Sequence, residues 1–355
     1  MKALITAGGK GTRLRPITHT QNKHLIPIGN KPMLLYAIDA VKEAGITEIG
    51  IIVNADSDEV QQAFGDGSQY GVSITYIPQE APLGLAHVVK ISKDFIGDDS
   101  FIFYLGDNML VGGVSRFINK FKETDCNCLL TLAKVHDPSR FGVPELKDGK
   151  IISIEEKPKN PKSPYAVSGI YVYDQSIFEA VNNIEPSARG ELEISDAHQY
   201  LIDKGYTIAY EEISGWWKDT GKPDDLLEAN RLVLDNLPVE QNDIHAENSH
   251  ISGKVKIGNN VKIANSQIRG PVIIGDNCTI ENSYIGPYTS VGSESIIEHT
   301  EVEFSILLDR CRLLNVPIRI ESSLLGYDAT IRKTVSKPRT HKFIVGDQSH
   351  IEITD

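Results

Sequence analysis

Up to about residue 237 the chain alternates two patterns of apolar residues. Solid apolar runs occur at Lys2–Ala7, Ile49–Asn54, Ser73–Pro78, Phe101–Leu105, Leu129–Val135, Ile151–Glu155 and Ala166–Tyr173, and each reads as a buried strand. Between them lie segments whose apolar residues return every three or four positions. In Pro32–Ala44, Leu34, Leu35, Ile38 and Val41 share one helical face, and Gly45 ends the element. The same spacing predicts helices at Asp56–Phe64, Gly84–Phe95, Gln175–Asn183, Glu193–Lys204 and Pro223–Asn236. Successive β-α-β units imply an α/β, Rossmann-like domain with a mostly parallel sheet and helices on both faces. In such sheets ligands sit beyond the carboxyl ends of the strands, so loops that follow strands can reach one site.

Pro238 and a polar run then break this pattern, and a different period takes over. Aliphatic residues recur at Ile251, Ile257, Ile263, at Ile268, Ile274, Ile280, at Ile285, Val291, Ile297, and at Val302, Leu308, Leu314. The steps are six, six and five, a period of 17 residues, and Gly258, Gly275, Gly286 and Gly292 each follow one of these aliphatics. Neither a helix nor a hairpin produces that spacing. A hexapeptide repeat does, because each short strand turns a corner and stacks its aliphatic residue inside a triangular, left-handed parallel β-helix. From Arg319 the register is expected to slip by one. The chain therefore divides into a domain at 1–237, a linker at 238–250, a coil at 251–336 and a tail at 337–355.

Composition narrows the function. The net charge of −12 excludes a general nucleic-acid binder, while local basic clusters remain free to bind a small anion. Cys126, Cys128, Cys278 and Cys311 fit no zinc spacing and read as buried, reduced thiols. With no basic leader and no long apolar run, a cytoplasmic protein without a membrane partner is expected. A coil with an open end or a flat face leaves apolar surface to bury, so it is expected to pack against the first domain or a neighbouring subunit, and a homo-oligomer is expected.

The candidate chemistry begins at Ala7–Pro16, "AGGKGTRLRP", directly after the first strand. It is not a P-loop, because Gly11 is followed by Thr12 and Arg13 instead of Lys and Ser or Thr. Leu14 stands where a dinucleotide fingerprint needs a small residue. Glycines let backbone N–H groups approach oxygens closely, and Arg13, Arg15 and Lys23 arrive in the same span, which suits a triphosphate. Asp107 ends an apolar strand inside "LGDN", and Asp219 lies in "WWKDTG"; each alone reads as a cap or turn aspartate.

With "NKHLIPIGNKPM", "PQEAPLGLAH", "YLGDN", "FGVPEL", "EEKP", "YAVSGIYVYD", "RGELEISD" and "WWKDTG" following in order, the first 237 residues resemble the sugar-phosphate nucleotidylyltransferases. Within them the chain is similar to the long form of the glucose-1-phosphate thymidylyltransferases, which carries a C-terminal hexapeptide coil. The resemblance implies a nucleotidyltransferase domain that converts dTTP and α-D-glucose 1-phosphate to dTDP-glucose and pyrophosphate, for deoxysugar synthesis, by direct in-line displacement. It implies Mg2+ held by Asp107 and Asp219, with Arg13 and Lys23 on the triphosphate and Arg13 stabilising the departing pyrophosphate. Gly8, Gly11 and Thr12 supply loop contacts, His24 lies on the nucleotide side, and Gln79 and Gly84 read the base. Asn108, Gly142, Glu156, Lys157, Val167 and Trp217 take the sugar phosphate. Arg189, Glu191 and Glu193 read as structural, since acids suit the positive end of the helix they open.

Three departures touch the nucleotide end: Thr6 where an apolar residue is usual, His24 where glutamine is usual, and Pro82–Leu83 where an aspartate commonly precedes the glycine. They leave UTP or another sugar 1-phosphate as the alternative. Acetyl transfer by the coil and a non-catalytic sugar-nucleotide sensor are more distant alternatives. His250 and His299 match no acyltransfer motif, and a sensor predicts damage at Arg13, Lys23 or Asp107, all of which are present.

Overall fold

The computed structural model describes residues 1–238, 246–335 and 341–353, so parts of the expected linker and tail lie outside the described residues. The chain forms two compact units: Met1–Lys10 with Met33–Asp219, and Gly11–Pro32 with Thr220–Asp355. Residue 237 marks the change in sequence pattern, but contacts group Gly11–Pro32 and the helix Pro223–Asp235 with the coil.

The first unit is built on a seven-stranded sheet. Lys2–Thr6 lies at its centre, parallel to Glu48–Asn54 and Phe101–Leu105, and Ser73–Gln79 is the parallel edge beyond Glu48–Asn54. Tyr165–Tyr173 runs antiparallel to both Phe101–Leu105 and Cys128–Lys134, and Ile208–Glu212 closes the other edge. Central strands buried on both faces need apolar residues at every position. Leu4, Phe101, Phe103 and Tyr173 are accordingly fully buried, and the helix Met33–Glu43 buries Leu34, Ala37, Ile38 and Val41.

Two expected elements differ. The strand near Ile151–Glu155 is Lys150–Glu156, and it leaves the main sheet to pair antiparallel with Gly142–Lys147. The expected helix Gly84–Phe95 is two helices, Leu85–Ile91 and Lys93–Ile96. Ser92 separates them, and its hydroxyl donates back to the Val88 carbonyl at 2.8 Å, a bond that competes with regular helix geometry.

In the second unit the coil builds three parallel sheets, each from every third strand. One column stacks Ile263, Ile280, Ile297 and Leu313, another Ile268, Ile285 and Val302, and the third Ile274, Val291 and Leu307. All of these are buried. The expected Leu308 and Leu314 are therefore replaced in the columns by Leu307 and Leu313. The slip comes at the corner, where Phe304 takes the left-handed turn that Tyr288 takes one coil earlier (φ 44 and 63), one residue early for the period. Ile320 and Leu325 then lie opposite Val302 and Leu307, so a longer turn around Arg319 restores the count. Asparagines hold many of the other corners, with φ of 45, 47 and 49 at Asn248, Asn265 and Asn282, a conformation asparagine tolerates better than most residues.

No helix among the described residues is long and apolar enough to cross a membrane. All four cysteines are free and buried, and burial pushes their thiols above the ordinary range.

Adjacent coils approach so closely at Gly275 that an added Cβ would lie 2.6 Å from the backbone nitrogen of Ser293. Gly275→Ala should lower stability by about 1–3 kcal/mol through overpacking, read as a lower thermal midpoint. His198, on the helix Ile194–Asp203, is fully buried; its Nε2 lies 2.7 Å from the Tyr173 hydroxyl and its Nδ1 has no partner. Burial pushes its pKa down to about 3. The unfolded chain binds a proton there below the ordinary histidine value while the folded chain stays neutral, so stability is complete above about pH 6.5 and falls as pH drops towards 3. Between pH 6.5 and 5 the loss should be about 1–2 kcal/mol. His198→Phe should flatten that part of a denaturant-derived stability profile.

Candidate active site

In the first unit the carboxyl end of Phe101–Leu105 turns sharply into "LGDN". The Gly106 N–H donates to the carbonyl and the hydroxyl of Thr6, at 3.2 and 3.1 Å, which gives the unusual Thr6 a structural partner. Beyond the turn, Asn108–Leu110 pairs antiparallel with Trp217–Asp219, and Asp219 stands opposite Asn108. This ladder sets Asp219 opposite the residue that follows Asp107, from more than a hundred residues away in sequence.

The Asn108 amide locks the arrangement. Its Nδ2 donates to Asp107 Oδ1 at 3.0 Å, and its Oδ1 accepts from the Trp217 indole at 2.7 Å. Asn108 is 4% exposed, and its amide holds the Asp107 carboxylate in place. Gly169 makes this possible, because a Cβ there would lie 2.9 Å from Asn108 Cγ. Tyr104 donates its hydroxyl to the Asn108 carbonyl at 3.1 Å, and burial, then the Asp107 charge, raises its pKa. The described residues contain no cluster of three or more His, Cys, Asp or Glu suited to a metal. Two carboxylates, Asp107 and Asp219, would suit magnesium, which completes its shell with substrate oxygens and water, better than a closed zinc site.

A second cluster forms where Gly142 pairs with Glu156. Glu156 Oε2 accepts from the Ser195 hydroxyl at 2.7 Å, and its Oε1 lies 3.1 Å from Lys157 Nζ and 3.6 Å from Arg189 Nη2. Gly142 must lack a side chain, since a Cβ would meet Ser195 Oγ at 2.6 Å. Arg189 grips both oxygens of Glu193 at 2.8 Å. Partial burial works against its charge, but Glu193, Glu191 and Glu156 outweigh that and raise its pKa. Burial, then the charges of Glu193 and Glu156, raises the Asp196 carboxyl. Ser195 was not singled out in the sequence; a hydroxyl inside "RGELEISD" reads there as an ordinary helix-start residue. Val167 is buried in the strand Tyr165–Tyr173, and Phe141 packs edge-on against Trp217 at 5.7 Å between centroids.

Gln79 ends its strand with Nε2 3.1 Å from His87 Nδ1. Burial, then Lys90, lowers the His87 pKa, which favours a neutral ring able to accept from the amide. Gly84 has φ 99 and packs against Leu192, whose carbonyl oxygen a Cβ would meet at 2.4 Å. Gly8 lies beside Asn54.

In the second unit Gly11 adopts φ 58 and starts the turn Thr12–Leu14, anchored by Leu14 at 1% exposure. The Thr18 hydroxyl donates to the Gly11 carbonyl at 2.7 Å, and a Cβ on Gly11 would touch Lys23 Cβ at 3.0 Å. The Arg13 guanidinium lies on Gly221, where a Cβ would come 2.9 Å from Nη2. Lys23 opens a second short turn capped by Asn22, whose Oδ1 accepts the His24 N–H at 2.9 Å. His24, expected at the nucleotide, is 1% exposed, with Nδ1 on the same Asn22 oxygen at 2.8 Å. Its ring braces the turn that carries Lys23.

Residues 2–236 match the model of the nucleotidyl transferase family, and residues 254–283 match the bacterial transferase hexapeptide repeat. A glucose-1-phosphate thymidylyltransferase of Streptomyces griseus is 46% identical over 355 residues, covering 100% of both chains. The low-salt glycan biosynthesis nucleotidyltransferase Agl11 of Haloferax volcanii is 44% identical, covering 99% of this chain and 100% of its own. Among solved structures, a Bacillus anthracis protein assigned as a glucose-1-phosphate thymidylyltransferase, in complex with sucrose, is 41% identical. It aligns with a TM-score of 0.63 over 68% of this chain and 98% of its own.

Proposed function

The chain belongs to the nucleotidyl transferase family and, within it, to the glucose-1-phosphate thymidylyltransferases, and from that premise we propose how its residues divide the reaction. The substrates are dTTP and α-D-glucose 1-phosphate, and the products dTDP-glucose and pyrophosphate. A phosphate oxygen of glucose 1-phosphate forms a bond to the α-phosphorus of dTTP. The bond from that phosphorus to the bridging oxygen breaks, and pyrophosphate leaves with the electron pair. The sequence carries no motif for a nucleophile that would form a covalent intermediate, which favours one direct displacement.

The observation that carries this reading is the pairing of Asp219 with Asn108 beside Asp107. Phosphoryl-type transfer needs positioning and charge stabilisation more than covalent work by protein groups. Asp107 and Asp219 would hold magnesium, which when bound neutralises charge on the reacting phosphates. Glu156 and Lys157 take the sugar hydroxyls and sugar phosphate, with Gly142 and Val167 shaping that side, and Ser195 fixes Glu156. Arg13 and Lys23 take the triphosphate, with Gly8, Gly11 and Thr12 as loop contacts. Gln79, with one amide hydrogen turned to His87, keeps an acceptor and a second hydrogen for the ring amide of thymine. Asn108 and His24 position other groups.

A second reading, another sugar 1-phosphate, rests on the Haloferax volcanii relative, whose name places it in low-salt glycan biosynthesis. A matrix of nucleoside triphosphates against sugar 1-phosphates, reading pyrophosphate release, tests both. The highest kcat/KM is expected for dTTP with glucose 1-phosphate, and a clear preference for another pair would overturn the assignment.

Asp107→Asn and Asp219→Asn should each cut turnover by about 10² or more, with thermal midpoints close to the parent's. Near-normal turnover at saturating magnesium in either variant would remove that aspartate from the metal site. Gly221→Ala should act through Arg13. The added methyl displaces a flexible guanidinium, so stability should hold while turnover falls about tenfold. Arg13→Ala should lose more, and the double variant should be no worse than Arg13→Ala alone. Additive losses in that cycle would show that Gly221 acts independently of the arginine.

A further inference from the structure

In the unit that contains the coil, one buried amide joins three separate segments. Asn230 lies in the helix Pro223–Asp235, which packs on the coil strand Thr289–Val291, and it is 0% exposed. Its Oδ1 accepts the Gly29 N–H at 2.9 Å and the Ser290 hydroxyl at 2.6 Å, and its Nδ2 donates to the Tyr288 carbonyl at 3.1 Å. Gly29 turns the small hairpin of Pro27–Ile28 and Lys31–Pro32. Its neighbour Asn30, at φ 59, donates Nδ2 to the Val291 carbonyl at 2.8 Å. From Lys23 the chain runs straight into this hairpin, anchored by the buried His24, Ile26 and Ile28.

The coil does not need a polar group there for stacking. The residues aligned with Ser290 on the rungs before and after it are Ile273 and Ile306, both buried. An aliphatic residue at 290 would continue that stripe. Apolar surfaces can slide against each other at little cost, whereas hydrogen bonds fix distance and direction. A polar rung set into an apolar stripe and bonded through Asn230 to the hairpin is a device for alignment.

We propose that the coil is the fixed backing of the nucleotide-side segment, and that Asn230 and Asn30 are positioning residues that set Lys23 by pinning the 27–32 hairpin to coil residues 288–291. This rests on the reading above that Lys23 meets the triphosphate.

The test uses the full-length protein with Asn230→Leu, Asn30→Gly and Lys23→Ala. Glycine keeps the left-handed backbone at 30 and removes only the side chain, so this variant covers the case in which Asn230→Leu fails to fold. In Asn30→Gly and Asn230→Leu, the KM for dTTP should rise about fivefold or more while that for glucose 1-phosphate stays within about twofold. Amides of residues 23–32 should exchange with solvent about tenfold faster, while those of Phe101–Leu105 do not change. Equal rises in both KM values, or unchanged exchange at 23–32 in Asn30→Gly, would overturn the proposal. If Lys23→Ala leaves the KM for dTTP unchanged, the assignment of the segment to the nucleotide fails, and exchange at 23–32 by itself decides whether the coil holds it.

Discussion

The proposed metal site rests on a ladder only three residues long on each side. Asn108–Leu110 and Trp217–Asp219 come from distant parts of the sequence, and their register alone sets Asp219 opposite Asn108. A slip of one residue would turn Asp219 to the other face, because side chains alternate along a strand. So short a ladder cannot hold its own register. It is held by the indole of Trp217 on the Asn108 amide, by the room left at Gly169, and by the Gly106 turn bonded to Thr6. The buried sheet keeps those anchors in place.

The coil solves the same problem of weak short strands by repetition. Each strand has two or three residues, and stacking supplies the apolar contacts that no single turn could provide. Its outward positions then become available for other work. On the rung at Ser290 that work is polar and directed at the helix and hairpin of its own unit. The Bacillus anthracis structure aligns over 98% of its own length with only 68% of this chain. The two thirds of this chain that align there form a transferase fold, and the hydrogen bonds from the coil to the hairpin lie within the second unit.

Much of this was legible in the sequence, and the parts that were not share a cause. Solid apolar runs marked the central strands, and the 17-residue period marked the coil. Strand direction was not legible, because Tyr165–Tyr173 is as apolar in its antiparallel setting as a parallel strand would be. The strand Gly142–Lys147 was hidden by Pro144 and its charged residues. At Phe304 the coil loses a corner residue, and two adjacent leucines at 307 and 308 made either register look equally good. The motifs themselves were legible, because each keeps its residues together in sequence. The buried contacts of neighbouring polar residues were not. Asn108, His24, Ser195 and Asn230 are polar side chains whose burial depends on contacts far away in sequence, and a polar residue in a helix or turn otherwise reads as solvated.

The charge balance explains which cation suits an incoming sugar phosphate. At a net charge of −12, local cations must recruit the anion, yet Lys157 and Arg189 both already pair with Glu156. The pairs are unequal. Lys157 is 44% exposed and meets Glu156 at one point, 3.1 Å away. A pair of that kind is worth roughly 1 kcal/mol or less, so its ammonium can turn to a phosphate at small cost. Arg189 holds Glu193 through both oxygens, and Glu193 is only 8% exposed. Redirecting that guanidinium would strand a buried carboxylate, which costs several times more. The Ser195 hydroxyl keeps Glu156 in place whichever way the lysine turns. In the proposed division of the reaction, that leaves the carboxylate for sugar hydroxyls and lets Lys157 turn to the phosphate.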